Sequence, residues 1–347
     1  MSEFKVLINK KNLVYNYNYL KSTTQKEIIA VVKANAYGHG LEETVKILLE
    51  EGCKYFAVTR EYEAEKILKT NLKNFKILMM DKVENINFIK NNSEIEIFIN
   101  SLEELKEKLN EGISPKKMHL KLDFGFGRNG ILIEEIEELK NFILKKNLYF
   151  KGIATHLFDA TYKDMKKIES DFFKIIKDIG RERFQIIHTQ NSAGVISIKG
   201  EGCTHIRCGT ILFGLQEIGY YDENVKRVFK LVGKISEIKD TENLKYIGYR
   251  LKDELNLKKN SKIAKINIGY GDGFSKRSEN LMSIINNKKF RIVHIAMDNS
   301  FIEVDDSVNI GDEVEIFYDL EESMKYLKVP HYEFLSAINE RIKRQII

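Results

Sequence analysis

The chain has 347 residues, 43% of them hydrophobic and 31% charged, with 56 Lys+Arg against 51 Asp+Glu and a formal net charge of +5. That composition excludes a disordered chain, and the length implies two domains, one of which can be a barrel of about 250 residues. The small charge surplus, the lack of a long apolar run and three scattered cysteines (Cys53, Cys203, Cys208) argue against nucleic-acid binding, a membrane span, a signal peptide, a disulfide framework and a metal site, so a cytoplasmic protein is expected.

In chain order, short apolar runs rich in β-branched residues occur at Ile28–Lys33, Tyr55–Thr59, Lys76–Met80, Ile95–Asn100, Met118–Asp123, Tyr149–His156, Phe184–Thr189 and His205–Cys208. Segments of helical period separate them, among them Leu41–Glu51, Glu61–Leu68, Leu102–Glu111 and Glu134–Lys145. Leu102, Leu105 and Leu109 form one apolar stripe, with Glu and Lys on the other face. Eight strands alternating with helices suit a (β/α)8 barrel; an open doubly wound sheet is the alternative. After Gly214 the pattern changes. Val228–Ile238, Lys245–Tyr249, Lys262–Ile268, Ser283–Ile285, Phe290–Ala296, Phe301–Val304 and Glu313–Phe317 read as closely spaced strands, with a helical stretch near Tyr332–Ala337. The expected fold is an α/β (β/α)8 barrel over residues 8–220, followed by a mostly β C-terminal domain over 221–347 together with 1–7.

The first barrel strand ends in Ile29-Ala30-Val31-Val32-Lys33-Ala34-Asn35-Ala36-Tyr37-Gly38-His39-Gly40. A lysine closing such a strand sets its amine at the C-terminal mouth, where barrel enzymes keep their chemistry, and a partly desolvated amine is a Schiff-base candidate. The stretch closely resembles the pyridoxal-phosphate lysine motif of the alanine racemase family. Barrels build phosphate sites from the loops after strands seven and eight. Those loops read His188-Thr189-Gln190-Asn191-Ser192-Ala193-Gly194 and Ile206-Arg207-Cys208-Gly209-Thr210, with small residues and hydroxyls that allow a phosphate to approach closely.

The resemblance implies a pyridoxal 5'-phosphate enzyme with Lys33 carrying the cofactor. It assigns the phosphate to Ser192, Gly209, Thr210, Tyr37 and Tyr332, with Asn191 in the same motif. Arg207 then faces the pyridine nitrogen. A guanidinium does not give up its proton, so that nitrogen stays largely unprotonated and the electron sink is weakened, which suits proton return over transamination. The segment Tyr246-Ile247-Gly248-Tyr249-Arg250 is similar to the one whose tyrosine is the second base, which implies Tyr249, with Tyr246 as the alternative. A free phenol titrates near pH ~10 and needs neighbouring positive charge to act at neutral pH. The family supplies a hydrogen-bonded tyrosine–histidine–arginine–histidine chain, matched by His156, Arg207 and His188. Lys121-Leu122-Asp123-Phe124-Gly125-Phe126-Gly127-Arg128-Asn129-Gly130 resembles the motif in which Arg128 binds the substrate carboxylate and Lys121 is a candidate for carbamylation. Tyr270 and Asp298 match gate residues, and Met297 offers its N–H to the substrate.

The gate departs from the family at several places. Val293-His294-Ile295-Ala296 replaces a Gly-Arg pattern, Lys276 an arginine, Thr161 an aspartate and Arg250 a glycine. The expected activity is interconversion of L- and D-alanine, supplying D-alanine for peptidoglycan. A racemase of a bulkier amino acid (serine, lysine, ornithine) or a non-catalytic cofactor-binding relative remains the alternative. Since Lys33 and Tyr249 fall in different domains, the resemblance implies a head-to-tail homodimer whose sites are each built from both chains.

Overall fold

The computed structural model describes residues 4–158, 162–198, 200–216 and 221–347. Thr161 lies outside the described residues. Two compact units emerge, one comprising Asn12–Ala36 and Thr44–Lys226, the other Met1–Lys11, Tyr37–Glu43 and Arg227–Ile347.

The first unit is a barrel of eight parallel strands: Glu27–Val31, Tyr55–Val58, Lys76–Met79, Ile95–Ile99, Met118–Asp123, Phe150–Ala154, Phe184–His188 and His205–Cys208. From the second to the seventh, each pairs in parallel with its predecessor, and the eighth pairs in parallel with the first. Thr204 N–H to Ile187 O (2.9 Å) and Arg207 N–H to Gln190 O (3.0 Å) join the seventh to the eighth and close the ring. The open doubly wound alternative is thereby overturned. Strands such as Tyr55–Val58 are buried along their whole length, which is why they read as continuous apolar runs instead of alternating ones. Helices cover the outside, and their caps are legible: Ser101 Oγ accepts from Glu104 N–H at 3.0 Å where Leu102–Asn110 begins. On that helix Leu102 and Leu105 are buried as the stripe predicts, but Leu109 is only half-buried. Lys108 is buried in its place, its amine held by Glu107 and Glu111 at 3.1 and 3.0 Å.

The second unit is built on strands in the order Lys262–Ile266, Ser300–Val304, Lys288–Ile295, Met282–Ile285, Glu313–Ile316, Phe229–Asp240, Lys5–Ile8 and Lys343–Ile346. Phe229–Asp240 also pairs with Lys262–Ile266, so the first six form a closed ring. Closure removes most of the exposed edge that an all-β unit otherwise presents. The expected strand Lys245–Tyr249 is instead a small hairpin, Tyr246–Ile247 against Arg250–Leu251. Gly248 at φ +58° turns the chain there, a conformation glycine adopts without steric cost. Helix His331–Ala337 matches its expectation, while helix Leu320–Leu327 is not among the expected elements. Among the described residues no helix is long and apolar enough to cross a membrane.

Candidate active site

The first barrel ladder runs on to Val32, whose N–H donates to Ala57 O at 2.9 Å. Lys33 therefore leaves the strand at the C-terminal mouth, where a barrel presents its chemistry. The backbone beyond Lys33 is not legible in the sequence. Ala34, Asn35, Ala36 and Tyr37 all take the left-handed helical conformation, with φ between 51° and 53°. Each L-residue placed there costs roughly 1–2 kcal/mol, so the turn persists only because its surroundings hold it. Glu63 does much of this. Its carboxylate is buried and accepts from Ala34 N–H at 2.6 Å, Thr59 N–H at 2.9 Å and Arg60 N–H at 3.0 Å, which ties the lysine's own turn to the loop after the second strand.

The Lys33 amine is pushed below the usual lysine range, first by burial and then by the charge of Arg128. Lys121, buried on the fifth strand, is lowered to about 8 by burial, with Arg128 and Arg207 adding to it; its Nζ lies 3.2 Å from Asn129 Oδ1. Arg128 is exposed and lies over the Phe126 ring at 4.6 Å, on a loop wound around Asp123, whose carboxylate accepts from the N–H groups of Gly125, Phe126 and Gly127. His156, half-buried beside Phe126, is pushed down to about 3 by burial and by the cations Arg207, Arg128, Lys121 and Lys33. It is neutral throughout the physiological range.

Arg207 enters the barrel interior from the eighth strand. Its Nη1 donates to His188 Nδ1 (2.9 Å) and His188 O (2.7 Å); its Nη2 donates to Thr155 O (2.7 Å) and Thr189 O (3.2 Å). Burial lowers the guanidinium to about 10, so it keeps its charge at neutral pH. An arginine only donates, so His188 Nδ1 must accept, and its proton sits on Nε2, 3.1 Å from His119 Nδ1. His119 then donates from Nε2 to Glu96 Oε2 at 2.9 Å, and Lys151 lies 3.5 Å from the other oxygen of Glu96. Every proton in this line is thus fixed by the one before it. Burial drives His188 and His119 below the ordinary histidine range, so both imidazoles are neutral links. Sequence reasoning misses Glu96 and His119. The only signal for Glu96 is a carboxylate inside an otherwise apolar strand, and His119 shares its strand with Lys121 and Asp123.

The loops after strands seven and eight meet. Asn191 Oδ1 accepts from Gly194 N–H at 2.8 Å at the start of helix Ser192–Ser197, and Ser192 Oγ lies 3.3 Å from Gly209 N and 3.4 Å from Ile211 N, beside the buried Thr210. Tyr37 and Tyr332 belong to the other unit, where Gly38 presses on the helix His331–Ala337 that carries Tyr332. A Cβ at Gly38 would stand 2.2 Å from Leu335 O.

That unit also carries Tyr249, at the hairpin tip and 83% exposed, with Tyr246 on the adjoining strand. Tyr270 N–H donates to Ala296 O (3.0 Å) and Gly271 N–H to Met297 O (2.8 Å), which holds Tyr270, Met297 and Asp298 in one cluster. Arg341 bridges Asp298 at 2.8 Å and Asp272 at 3.2 Å. Lys276 is exposed, whereas His294 is buried. The barrel therefore carries Lys33, Lys121, Arg128, His156, His188, Asn191, Ser192, Arg207, Gly209 and Thr210, and the β unit carries the others in three separate places: Tyr37 next to the helix of Tyr332, Tyr270 beside Met297 and Asp298, and Tyr249 on its hairpin.

Residues 8–217 match the family described as alanine racemase, N-terminal domain, and residues 228–346 match alanine racemase, C-terminal domain. An alanine racemase of Borreliella burgdorferi is 32% identical over 99% of this chain and 96% of its own length, and one of Fusobacterium nucleatum is 30% identical over 98% of each. A solved alanine racemase of Clostridium difficile superposes with a TM-score of 0.87 at 28% identity, covering 99% of this chain and 96% of that one. The alanine racemase of Bartonella henselae, solved with covalently bound pyridoxal phosphate, shares the fold with a TM-score of 0.85 at 23% identity over the full length of both chains. With both of its domains matched and relatives similar from end to end, the chain belongs to the alanine racemase family.

Proposed function

We propose that this chain is a pyridoxal-phosphate-dependent racemase that interconverts L- and D-alanine with two bases, Lys33 and Tyr249 of a second copy, and supplies D-alanine for peptidoglycan in the cytoplasm. The observation that carries the reading is the gathering of three features at one barrel mouth: an amine below its ordinary range, a two-loop cup of N–H and hydroxyl groups, and a charged guanidinium with one donor to spare. The four Nη hydrogens of Arg207 are all committed, so Nε–H is the donor left for a ring nitrogen. The cup of Ser192, Gly209 and Thr210 offers what a phosphate accepts from, and the donor set fits a phosphorylated pyridine aldehyde.

Bound there, pyridoxal phosphate supplies an aldehyde that links to amines and a ring that withdraws electrons from the α carbon. The protein supplies the rest. Lys33 holds or takes the α proton on one face, with burial and the charge of Arg128 lowering its proton affinity. The Tyr249 hydroxyl takes or returns the proton on the opposite face; behind it His188 is hydrogen-bonded to Arg207, and neutral His156 lies within the field of the same guanidinium. Arg207 keeps its own proton and adds none to the ring nitrogen. Arg128 offers a planar fork to the substrate carboxylate, Met297 offers its N–H, and Tyr270 and Asp298 line the approach. Tyr37 and Tyr332 add hydroxyls toward the phosphate. Since the β unit must reach a barrel mouth, the assembly is a head-to-tail homodimer.

The test is a panel of amino acids assayed for racemisation and for deuterium exchange at the α carbon, with purified protein and added cofactor. Both enantiomers of alanine should exchange and interconvert fastest. A preference for serine, lysine or ornithine would move the substrate to a bulkier amino acid, and a cofactor-loaded protein inert on the whole panel would make the chain a carrier.

Lys121 completes the reading as a carbamate. An amine lowered to about 8 is roughly half neutral at pH 8, and only the neutral form adds CO2. The charges of Arg128 and Arg207, which drive its proton off, would attract the resulting anion. Protein equilibrated with 13C-bicarbonate should gain one carbamate carbonyl resonance that grows as pH rises through 8 and is missing in Lys121→Ala. A spectrum identical for the two proteins rejects the modification.

A further inference from the structure

The phenol of Tyr249 is mostly in solvent, and among the described residues its oxygen has no hydrogen-bond partner, so the place of this ring is set by the turn beneath it. That turn stands on a buried pair. His294, 1% exposed, stacks on Phe301 (ring centroids 5.9 Å apart, planes at 10°) and meets the Tyr249 ring edge-on at 6.5 Å. Tyr249 N–H donates to His294 Nε2 at 3.4 Å. The accepting nitrogen carries no proton, so the imidazole hydrogen is on Nδ1, which donates to Glu279 Oε1 at 2.9 Å. The same oxygen accepts from Ile295 N–H at 3.0 Å, which locks Glu279 against the strand that bears His294.

The 3.4 Å contact is long, beyond the usual range for such bonds, and alone would hold little. A second observation carries the placement independently. A Cβ at Gly248 would lie 2.6 Å from His294 Cδ2 and 3.0 Å from both His294 Nε2 and Phe301 Cε2. The backbone of the turn therefore rests directly on the imidazole. Ile247, one residue earlier, is buried with Leu255, Ile263 and Val293, so the hairpin is anchored by its strand and levelled by His294 at its tip.

We propose that His294, oriented by Glu279, is a positioning residue for Tyr249: it sets the height of the Gly248-Tyr249 turn and so the reach of the phenol toward the α carbon of a substrate at the neighbouring chain's site. This rests on Tyr249 as the second base. A base must come within about 3–3.5 Å of its proton, and a misplacement near 1 Å costs on the order of 10²-fold, so a single backbone contact under an otherwise unsupported ring has kinetic weight. The Val293-His294 pair, where the family pattern has Gly-Arg, thereby has a part distinct from lining a gate.

Three measurements test this on the full-length, cofactor-loaded protein. In the wild type, the 15N resonances of His294 should report a protonated Nδ1 and an unprotonated Nε2; the opposite tautomer overturns the proposal. In His294→Leu, which keeps bulk and removes the acceptor, the Tyr249 amide should exchange with solvent at least about tenfold faster. α-Proton exchange from the Tyr249 face should fall roughly tenfold, with the Lys33 face and the cofactor's visible band unchanged. His294→Gln, whose amide oxygen reaches the Nε2 position, should recover most of both losses. An unchanged Tyr249 amide, or equal losses on the two faces, refutes the role of His294. If the amide responds while Tyr249→Phe, assayed in parallel, shows no one-sided loss, the positioning stands and the base assignment fails.

Discussion

Lys33→Ala is expected to purify folded, to lack the visible band of the lysine-bound cofactor, and to lose racemisation by at least about 10⁴-fold. The side chain is only half-buried, and the strand before it and the Glu63-held turn after it are backbone features that alanine preserves. The protein without cofactor should therefore still unfold as a single folded species, because neither backbone feature depends on the lysine side chain. The kinetic loss is large because the same amine anchors the cofactor and handles the proton on one face, and a positioned acid/base alone contributes roughly 10²–10⁴-fold. A Lys33→Ala protein that keeps the band and turns over would displace Lys33 from the centre of the site.

Tyr249→Phe should separate the two faces. The hydroxyl is solvent-exposed at a hairpin tip, so its loss leaves fold, hairpin and cofactor band unchanged. Exchange of the α proton should fall by roughly 10²–10⁴-fold from one enantiomer of alanine and far less from the other, which Lys33 still serves. Overall racemisation falls with the slower face. Equal rates from both enantiomers in Tyr249→Phe would hand the role to Tyr246, whose ring lies on the adjoining strand with Lys245 Nζ 5.7 Å from its centroid.

The barrel is readable because parallel strands buried on both faces are continuous apolar runs. Eight such runs at regular spacing predict all eight strands, the end of strand one yields Lys33, and the count points to the loops after strands seven and eight, in which the family resemblance picks out Ser192 and Arg207. The change to an all-β pattern after Gly214 is equally plain. The illegible parts depend on contacts between segments far apart in sequence. Four successive left-handed residues in Lys33-Ala34-Asn35-Ala36-Tyr37 run against ordinary backbone preference, and the carboxylate of Glu63, 29 residues away from Ala34, helps make the turn tenable. Glu96 and His119 look like solvated charges on strands whose partners are unknown, yet each is buried and satisfied by the other. The Tyr246–Leu251 hairpin reads as part of a strand because Gly248 gives no sign by itself that His294 will fill the space under it.

The proposed racemisation depends on one arrangement, in which each site would take its lysine from one chain and its tyrosine from another. Mixing Lys33→Ala with Tyr249→Phe under conditions that exchange subunits tests it directly. Each variant alone is crippled, but a mixed dimer has one site with Lys33 from one chain and an intact Tyr249 from the other. With random exchange about half the dimers are mixed and half of their sites are whole, so activity should rise to roughly a quarter of the wild-type level. Activity that stays at the sum of the two separate variants would contradict it and place both bases within a single chain.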